Sequence, residues 1–437
     1  MTAPSLLARI AEPIAPTRLG SGFRYLLASA IVMNLGDGII LAAGPLLVAS
    51  QTSDAFLVAM AYFMQVTPAL LFSIVAGAIA DRFDRRLISI VLNLARGVVL
   101  ALLAATIWTG TVNIALVLGA LFLLSTAETF ADIAEGSLLP RLVPREDLTT
   151  ANARLNGAFL GMNQLIAPPI GAFLFVAGAA IPFATDAACF LVAAILISRL
   201  ARDAGATRRL GEPSAEDPAS NPAPQAQGFL GEIAEGIRWL RHHPAMRTLA
   251  VTIVAFNVTY GAAWSVLVLY VRDQLGMGEI GYGLITAASA VGGIVGTVFY
   301  GRLTRRFMLS DLMRAGLVVE TATHLALALT RSPAVAMAVF FVFGAHAFIW
   351  ATTATTVRQR AVPDAIYGRV SGVYRVGIFA GLVAGAPIGG YIASQFGITG
   401  PFWFGFVGSA ILLALLWREF RFIAHDEQLQ PAAAVKA

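Results

Sequence analysis

Residues 77–86 read Gly77-Ala78-Ile79-Ala80-Asp81-Arg82-Phe83-Asp84-Arg85-Arg86. Apolar runs at 56–80 and 87–108 flank the charged part of this stretch, and each supplies the roughly 20 apolar residues that a membrane-crossing helix needs. The charged residues therefore form a short turn between two spans. A second version, Gly301-Arg302-Leu303-Thr304-Arg305-Arg306, stands 220 positions further on. Leu142-Val143-Pro144 likewise returns as Ala361-Val362-Pro363 after 219 positions. Ala167-Pro168-Pro169-Ile170-Gly171-Ala172 returns as Gly385-Ala386-Pro387-Ile388-Gly389-Gly390 after 218. Three matches in one order, at nearly one offset, describe a duplicated fold with two parallel halves. Parallel six-helix halves are an architecture of secondary transporters.

Composition agrees. The chain has 437 residues, of which 58% are hydrophobic and 13% charged, with a mean hydropathy of +0.76. A soluble domain carries about 25% charged residues, so this chain is expected to be an all-α membrane protein. Apolar runs fall at 24–49, 56–80, 87–108, 112–136, 150–177, 181–199, 248–271, 281–301, 311–330, 334–355, 370–396 and 400–417. Twelve transmembrane helices in two pseudo-symmetric six-helix bundles are predicted, at 23–200 and 247–418. Residues 1–22 and 419–437 are expected to be cytoplasmic ends. The stretch 201–246 is expected to be a cytoplasmic linker, because Pro213, Pro218, Pro222 and Pro224 sit there among small polar residues. Its end, Phe229 to His243, has apolar residues at helical spacing. That pattern suits an amphipathic helix lying on the inner membrane face or packed on cytoplasmic loops.

The arginines alternate from loop to loop. With Arg24 inside, the inner loops hold Arg82, Arg85, Arg86, Arg141, Arg145, Arg302, Arg305, Arg306, Arg358, Arg360 and Arg369, whereas the outer loops hold only Arg272 and Arg331. The positive-inside rule then places both termini in the cytoplasm of a multi-pass protein of a bacterial cytoplasmic membrane. The net charge of +5 thus follows topology and argues for no nucleic acid partner. The single cysteine, Cys189, excludes an intrachain disulfide and a thiolate metal cluster. The one lysine, Lys436, is followed only by Ala437, so no GxxxxGK[ST] nucleotide loop exists. HExxH, GxSxG and GxGxxG are absent too. No metal, no cofactor and no catalytic residues are expected, and the chain does not read as an enzyme.

The 77–86 stretch resembles the signature loop of the major facilitator superfamily, between the second and third helices. Leu138-Leu139-Pro140-Arg141-Leu142-Val143-Pro144 with Ala151-Asn152, Asn163-Gln164 with Pro168-Pro169, and Gly368-Arg369-Val370 after Val362-Pro363 resemble a narrower branch. That branch comprises enterobactin-exporter-like and macrolide-efflux-like proteins, the transmembrane secretion effectors. The resemblance implies the major facilitator fold, and it implies that the first, seventh and tenth spans line a cavity. Two departures stand out: Gly301 replaces the acid of the second signature loop, and the fifth span has Ala167-Pro168-Pro169-Ile170-Gly171-Ala172 where exporters usually have GPxxGG.

Several polar residues lie deep in apolar runs. Asp37 is 13 residues past Arg24, about 20 Å along a helix, where a carboxylate costs about 2.5–3.5 kcal/mol. Asn34 is one turn away. Glu128, Asp132 and Glu135 share one face of the fourth span. Such acids suit proton loading or a cationic substrate; pairing with Arg96 is the structural alternative. His346, one turn from Trp350, is a titratable candidate in the tenth span, and the repeat maps it within a residue of Glu128. Glu320 and His324 read as an in-helix pair. Asn257, Tyr260 and Trp264, at i, i+3, i+7, suit a bulky apolar ligand or plain packing. Asp186 reads as a capping or hydrogen-bonding residue. In the signature loop, Gly77 would allow close helix approach, Asp81 would face a helix end, and Arg82, Arg85 and Arg86 would gate through ion pairs. Gly161, Pro168, Pro169 and Gly171, with Gly385, Pro387 and Gly389, would act as hinges or tight packing.

Together these features predict a secondary transporter that exports hydrophobic small molecules by proton antiport. Its expected partners are a small-molecule substrate, protons and the lipid bilayer, and it is expected to be a monomer. A siderophore exporter and a non-transporting membrane sensor or partner are the alternatives.

Overall fold

The computed structural model describes residues 16–200, 229–420 and 422–423. The N-terminal segment up to residue 15, linker positions 201–228 and the tail from 424 lie outside the described residues. Those described are almost wholly helical, with no strand among them. The spans are α1 (Gly20–Gln51), α2 (Ala55–Arg82), α3 (Arg85–Trp108), α4 (Ile114–Gly136), α5 (Arg145–Ala177) and α6 (Ile181–Ser198). The amphipathic segment forms α7 (Phe229–His242). After it come α8 (Pro244–Trp264), α9 (Gly278–Arg306), α10 (Leu309–Leu329), α11 (Pro333–Ala361), α12 (Asp364–Phe396) and α13 (Gly400–Leu416). Ten of these helices are long and apolar enough to cross a membrane. An eleventh span arises if α8 is joined to Leu267–Gln274 across a 44° bend, and α13, at 17 residues, is also apolar. Each of the twelve expected runs is therefore a helix.

α3 shows why these helices pack as they do. Leu87, Val91, Leu94, Val98 and Leu102 face outward, whereas Ser89, Asn93 and Arg96 are buried. In a bilayer the apolar stripe belongs against lipid and the polar one against protein. Local signals set the ends. The Asp84 carboxylate accepts from the backbone N–H of Arg86 (2.9 Å) and Leu87 (3.1 Å), capping α3. Asn113 caps α4 through the N–H of Leu116. Pro182, Pro244, Pro333 and Pro401 stand in first turns, where a missing N–H is no loss. α11 runs on to Ala361 and α12 starts at Asp364, beyond the apolar runs expected there. Backbone hydrogen bonding continues a helix whether or not its side chains are apolar.

The chain divides into two compact units, one built chiefly on α1 to α6 and the other on α7 to α13. The same neighbours recur in each. In the first, α1 packs on α5 and α6, and α3 on α4 and α6; in the second, α8 packs on α12 and α13, and α10 on α11 and α13. The α8–α12 seam is backbone against backbone. A Cβ on Gly381, Gly385 or Gly389 would collide with the carbonyl oxygen of Val254, Val258 or Ala262 respectively. At the corresponding seam of the first unit, Gly171 meets the Ile39 carbonyl and Gly38 meets that of Asn163. There, α5 is π-helical over Phe159–Ile166, just before Pro168 and Pro169, which have no N–H to continue the ladder. α12 carries its single Pro387 without interruption.

α7 packs on the start of α12. Gly236 lies against the Arg369 backbone, Leu240 is buried, and Glu235 pairs with Arg369 at 2.5 Å.

Candidate functional site

α3 places Arg96 inside the first unit, only 2% exposed. Its Nη2 is bonded to Asp37 of α1 and lies 3.8 Å from Glu128 of α4. The guanidinium carbon is 3.9 Å from the Phe190 ring centroid on α6. Asp186 and Asp132 are within electrostatic reach as well. One cation thus faces four carboxylates drawn from α1, α4 and α6. Arg96 Nε and Nη1 are buried with no hydrogen-bond partner among the described residues, so the aromatic face and the surrounding negative field carry that side of the group.

The carboxylates differ in access. Asp37 is 17% exposed and Glu128 40%; Asp132 is exposed. Glu128 and Asp132 are therefore more accessible than Arg96. Glu135 is withdrawn from this set, because Ser89 donates to it and Asn93 donates at 3.4 Å. Asn34 donates to the Ala30 carbonyl at 2.7 Å within its own helix and makes no bond to Asp37.

Asp186, expected to cap or hydrogen-bond, is packed inside the unit. It is 1% exposed, its Oδ1 has no hydrogen-bond partner among the described residues, and it lies against α1 at Gly36. A Cβ at position 36 would overlap this carboxylate, so a glycine beside Asp37 makes room for it. An acid five residues into an apolar helix gave no periodic signal; only the tertiary fold brings it to Arg96.

The second unit presents an aromatic wall. Tyr260 stacks on Trp264 at 4.2 Å and lies 6.0 Å from Phe256. From α11, Phe343 lies 4.7 Å from Trp264 and 5.9 Å from Tyr260, and Phe340 lies 5.3 Å from Trp264. Tyr260 and Trp264 meet as expected, but Asn257 leaves the group. It is buried, bonded to the Ile253 carbonyl, and faces α12 at Gly381. Phe256, four residues before Tyr260, takes its place. His346 is buried edge-on to Phe256 and Phe343, with Nε2 3.3 Å from Glu320 of α10. Trp350 lies one turn further, edge-on to His346 at 6.2 Å, with Nε1 buried and unpartnered among the described residues.

The signature loop binds helix ends within its own unit. Arg85 donates to the carbonyls of Ala80 and, at 3.5 Å, Ser137, just past α4. Arg86 donates to Ile197 and Ser198 at the end of α6. These contacts satisfy orphan carbonyls at the negative ends of helices. Asp81 pairs with Arg85 at 3.3 Å while 77% exposed. Arg82 is exposed. Gly77 meets no neighbour: a Cβ there would have nothing within 4 Å. The close approach expected at Gly77 is therefore absent among the described residues, as it is at Gly161.

The sequence profile of the transmembrane secretion effector family matches residues 11–435. The multidrug efflux pump Tap of Mycolicibacterium fortuitum is 27% identical over 398 residues, covering 86% of this chain and 90% of that protein. Among solved structures, the nucleoside transporter NupG superposes with a TM-score of 0.73 at 10% identity, covering 91% of this chain and 99% of that one. A bacterial homologue of the iron transporter ferroportin, in an inward-facing state, superposes at 0.71 and 16% identity, covering 95% and 100%. These structural likenesses concern the fold.

Proposed function

The chain belongs to the transmembrane secretion effector family, and on that premise we propose that it exports drug-like hydrophobic cations in exchange for protons, by alternating access. The observation that carries this reading is the charge imbalance around Arg96: one guanidinium within reach of Asp37, Glu128, Asp132 and Asp186. Arg96 cannot balance all four carboxylates, and the surplus negative charge must be neutralised by something. A proton and a cationic substrate are the two species that serve in turn. The aromatic wall of Phe256, Tyr260, Trp264 and Phe343 supports a flat, apolar ligand body. The name of the Tap relative supports the drug-like class. In this reading the halves 23–200 and 247–418 alternate about the 201–246 linker, and the protein works as a monomer in the cytoplasmic membrane with both termini inside.

The test is uptake of a lipophilic cationic dye into inverted membrane vesicles energised by a proton gradient. Uptake should be abolished by a protonophore and by Asp37→Asn. Gradient-independent uptake, or full activity of the variant, overturns proton coupling through this cluster.

A further inference from the structure

The second unit contains a buried acid with two imidazoles on it. Glu320 of α10 is 1% exposed. Its Oε2 lies 3.3 Å from His346 Nε2 on α11, whereas its Oε1, 3.3 Å from His324 Nδ1, has no hydrogen-bond partner among the described residues, because Nδ1 donates to the Glu320 backbone carbonyl at 3.1 Å. His324 is fully buried, and its Nε2 has no hydrogen-bond partner among the described residues. A Cβ at Gly405 of α13 would overlap the His324 ring, so a glycine on the neighbouring helix makes the space for it.

Among the described residues, no fixed cation neutralises this carboxylate. Along α10, the nearest basic group beyond His324 is Arg314, six residues and about 9 Å away. It is engaged with Asp311 at 3.5 Å and with the Trp417 carbonyl at 3.1 Å. On α11, Arg358 and Arg360 stand at least twelve residues from His346, about 18 Å along the axis. α13 has no ionisable residue over Gly400–Leu416. On α8 the ionisable groups are Arg247, paired with Glu419 at 3.9 Å, and Tyr260 of the aromatic wall. α9 meets α11 at Gly292 and Gly296, and its ionisable residues, Glu279, Tyr282, Tyr300, Arg302, Arg305 and Arg306, lie near its two ends.

We infer that Glu320, His324 and His346 form a proton–cation exchange site of the second unit, separate from the Arg96 cluster. One proton shared between the carboxylate and the His346 imidazole makes the buried group neutral, which is the state that burial favours. Between Oε2 and His346 Nε2 that proton can sit on either atom. Its departure to water leaves a net anion directly behind His346, which touches the aromatic wall at Phe256 and Phe343. A lipophilic aromatic cation on that wall then supplies the missing positive charge, through the ring faces and the anion together. Proton and cation compete for the same negative charge. The ligand class rests on the export reading above; the proton site does not.

Trp350 reports on the site, since its ring centroid is 6.2 Å from that of His346 and a protonated imidazole quenches a neighbouring indole. The full chain in lipid nanodiscs is titrated from about pH 5 to 8, the range in which histidine charge changes. The signal of Trp350 is isolated by subtracting that of Trp350→Phe. We expect a sigmoidal quench on acidification. Tetraphenylphosphonium should move its midpoint to lower pH, by about one unit at a tenfold excess over its Kd. In Glu320→Gln the quench should no longer respond to tetraphenylphosphonium. A flat Trp350 signal in the wild type, a wild-type midpoint that ignores tetraphenylphosphonium, or a Glu320→Gln variant that responds to tetraphenylphosphonium like the wild type each overturns the inference. If Glu320→Gln does not fold, His346→Gln replaces it, and a surviving quench there is equally fatal. A chain that titrates as expected but drives no dye uptake in vesicles refutes the export reading and leaves the proton site standing.

Discussion

Arg96 and Phe190 stack with 3.9 Å between guanidinium carbon and ring centroid, while the Nη2 edge of the same group is bonded to Asp37. The arginine is thereby held on three helices, α1, α3 and α6. Its substitution should act on the fold before it acts on transport. Removing one partner of a buried ion pair costs about 3–5 kcal/mol, so Arg96→Leu should lower the thermal midpoint of the purified protein markedly. Asp37→Asn keeps a hydrogen-bond acceptor for Arg96 and should lower it much less while abolishing gradient-driven uptake. Equal midpoints for wild type and Arg96→Leu would contradict the arrangement.

Aromatic contacts on the wall should show in substrate binding. A stacked aromatic contributes about 0.5–1.5 kcal/mol beyond its burial, or roughly 2- to 13-fold in affinity. Trp264→Ala, which loses contacts to Tyr260, Phe340 and Phe343, should raise KM for dye uptake by about that factor. Asn257→Ala, facing α12, should leave KM unchanged. The reverse ranking would place the substrate elsewhere.

Glycines of similar appearance should answer differently to one methyl group. At Gly385 the new Cβ meets the Val258 carbonyl, and overpacking of this kind costs about 1–3 kcal/mol. Gly77→Ala adds a methyl where nothing lies within 4 Å and improves helix propensity by up to about 1 kcal/mol. Thermal unfolding in detergent should therefore show Gly385→Ala less stable than wild type and Gly77→Ala at least as stable.

The arginines of the first signature loop should separate as well. Arg86→Ala removes charged hydrogen bonds to the Ile197 and Ser198 carbonyls, each worth about 1.5–3 kcal/mol when a charged group is involved. Arg82→Ala removes only an exposed side chain. Hydrogen exchange at the end of α6 should quicken in the first variant and stay as in the wild type in the second.

Hydropathy and repetition made the helices legible, because lipid imposes one pattern on every span. Depth arithmetic likewise found Asp37 and Glu128, since a lone acid far from either interface stands out on a linear count. Asp186 escaped because its meaning lies in Gly36 and Arg96, which come near it only in three dimensions. Phe256, Phe340 and Phe343 escaped for the opposite reason: in a chain with 27 phenylalanines, three more carry no contrast. Glu320 and His324 were visible as an in-helix pair and His346 on its own, but the contact between α10 and α11 that joins them depends on packing across 26 residues. The roles of Arg85 and Arg86 as caps were hidden by a simpler expectation, that loop charges pair with other charges.

Along the α8–α12 seam, glycines 381, 385 and 389 face carbonyls 254, 258 and 262, always 127 positions apart. Two parallel helices joined this way repeat their contact every turn, about 6 Å of axial travel including the four-residue step. A seam with such translational symmetry resists separation yet records almost nothing about its own axial phase. That phase must be written at single, unrepeated contacts on either side of the seam: Ser265, just past the end of α8, donating to the Ala386 carbonyl at 3.3 Å, and Glu235 of the preceding α7 on Arg369. The contacts flanking the helix pair thus act as its vernier, and the glycines between them as the smooth scale.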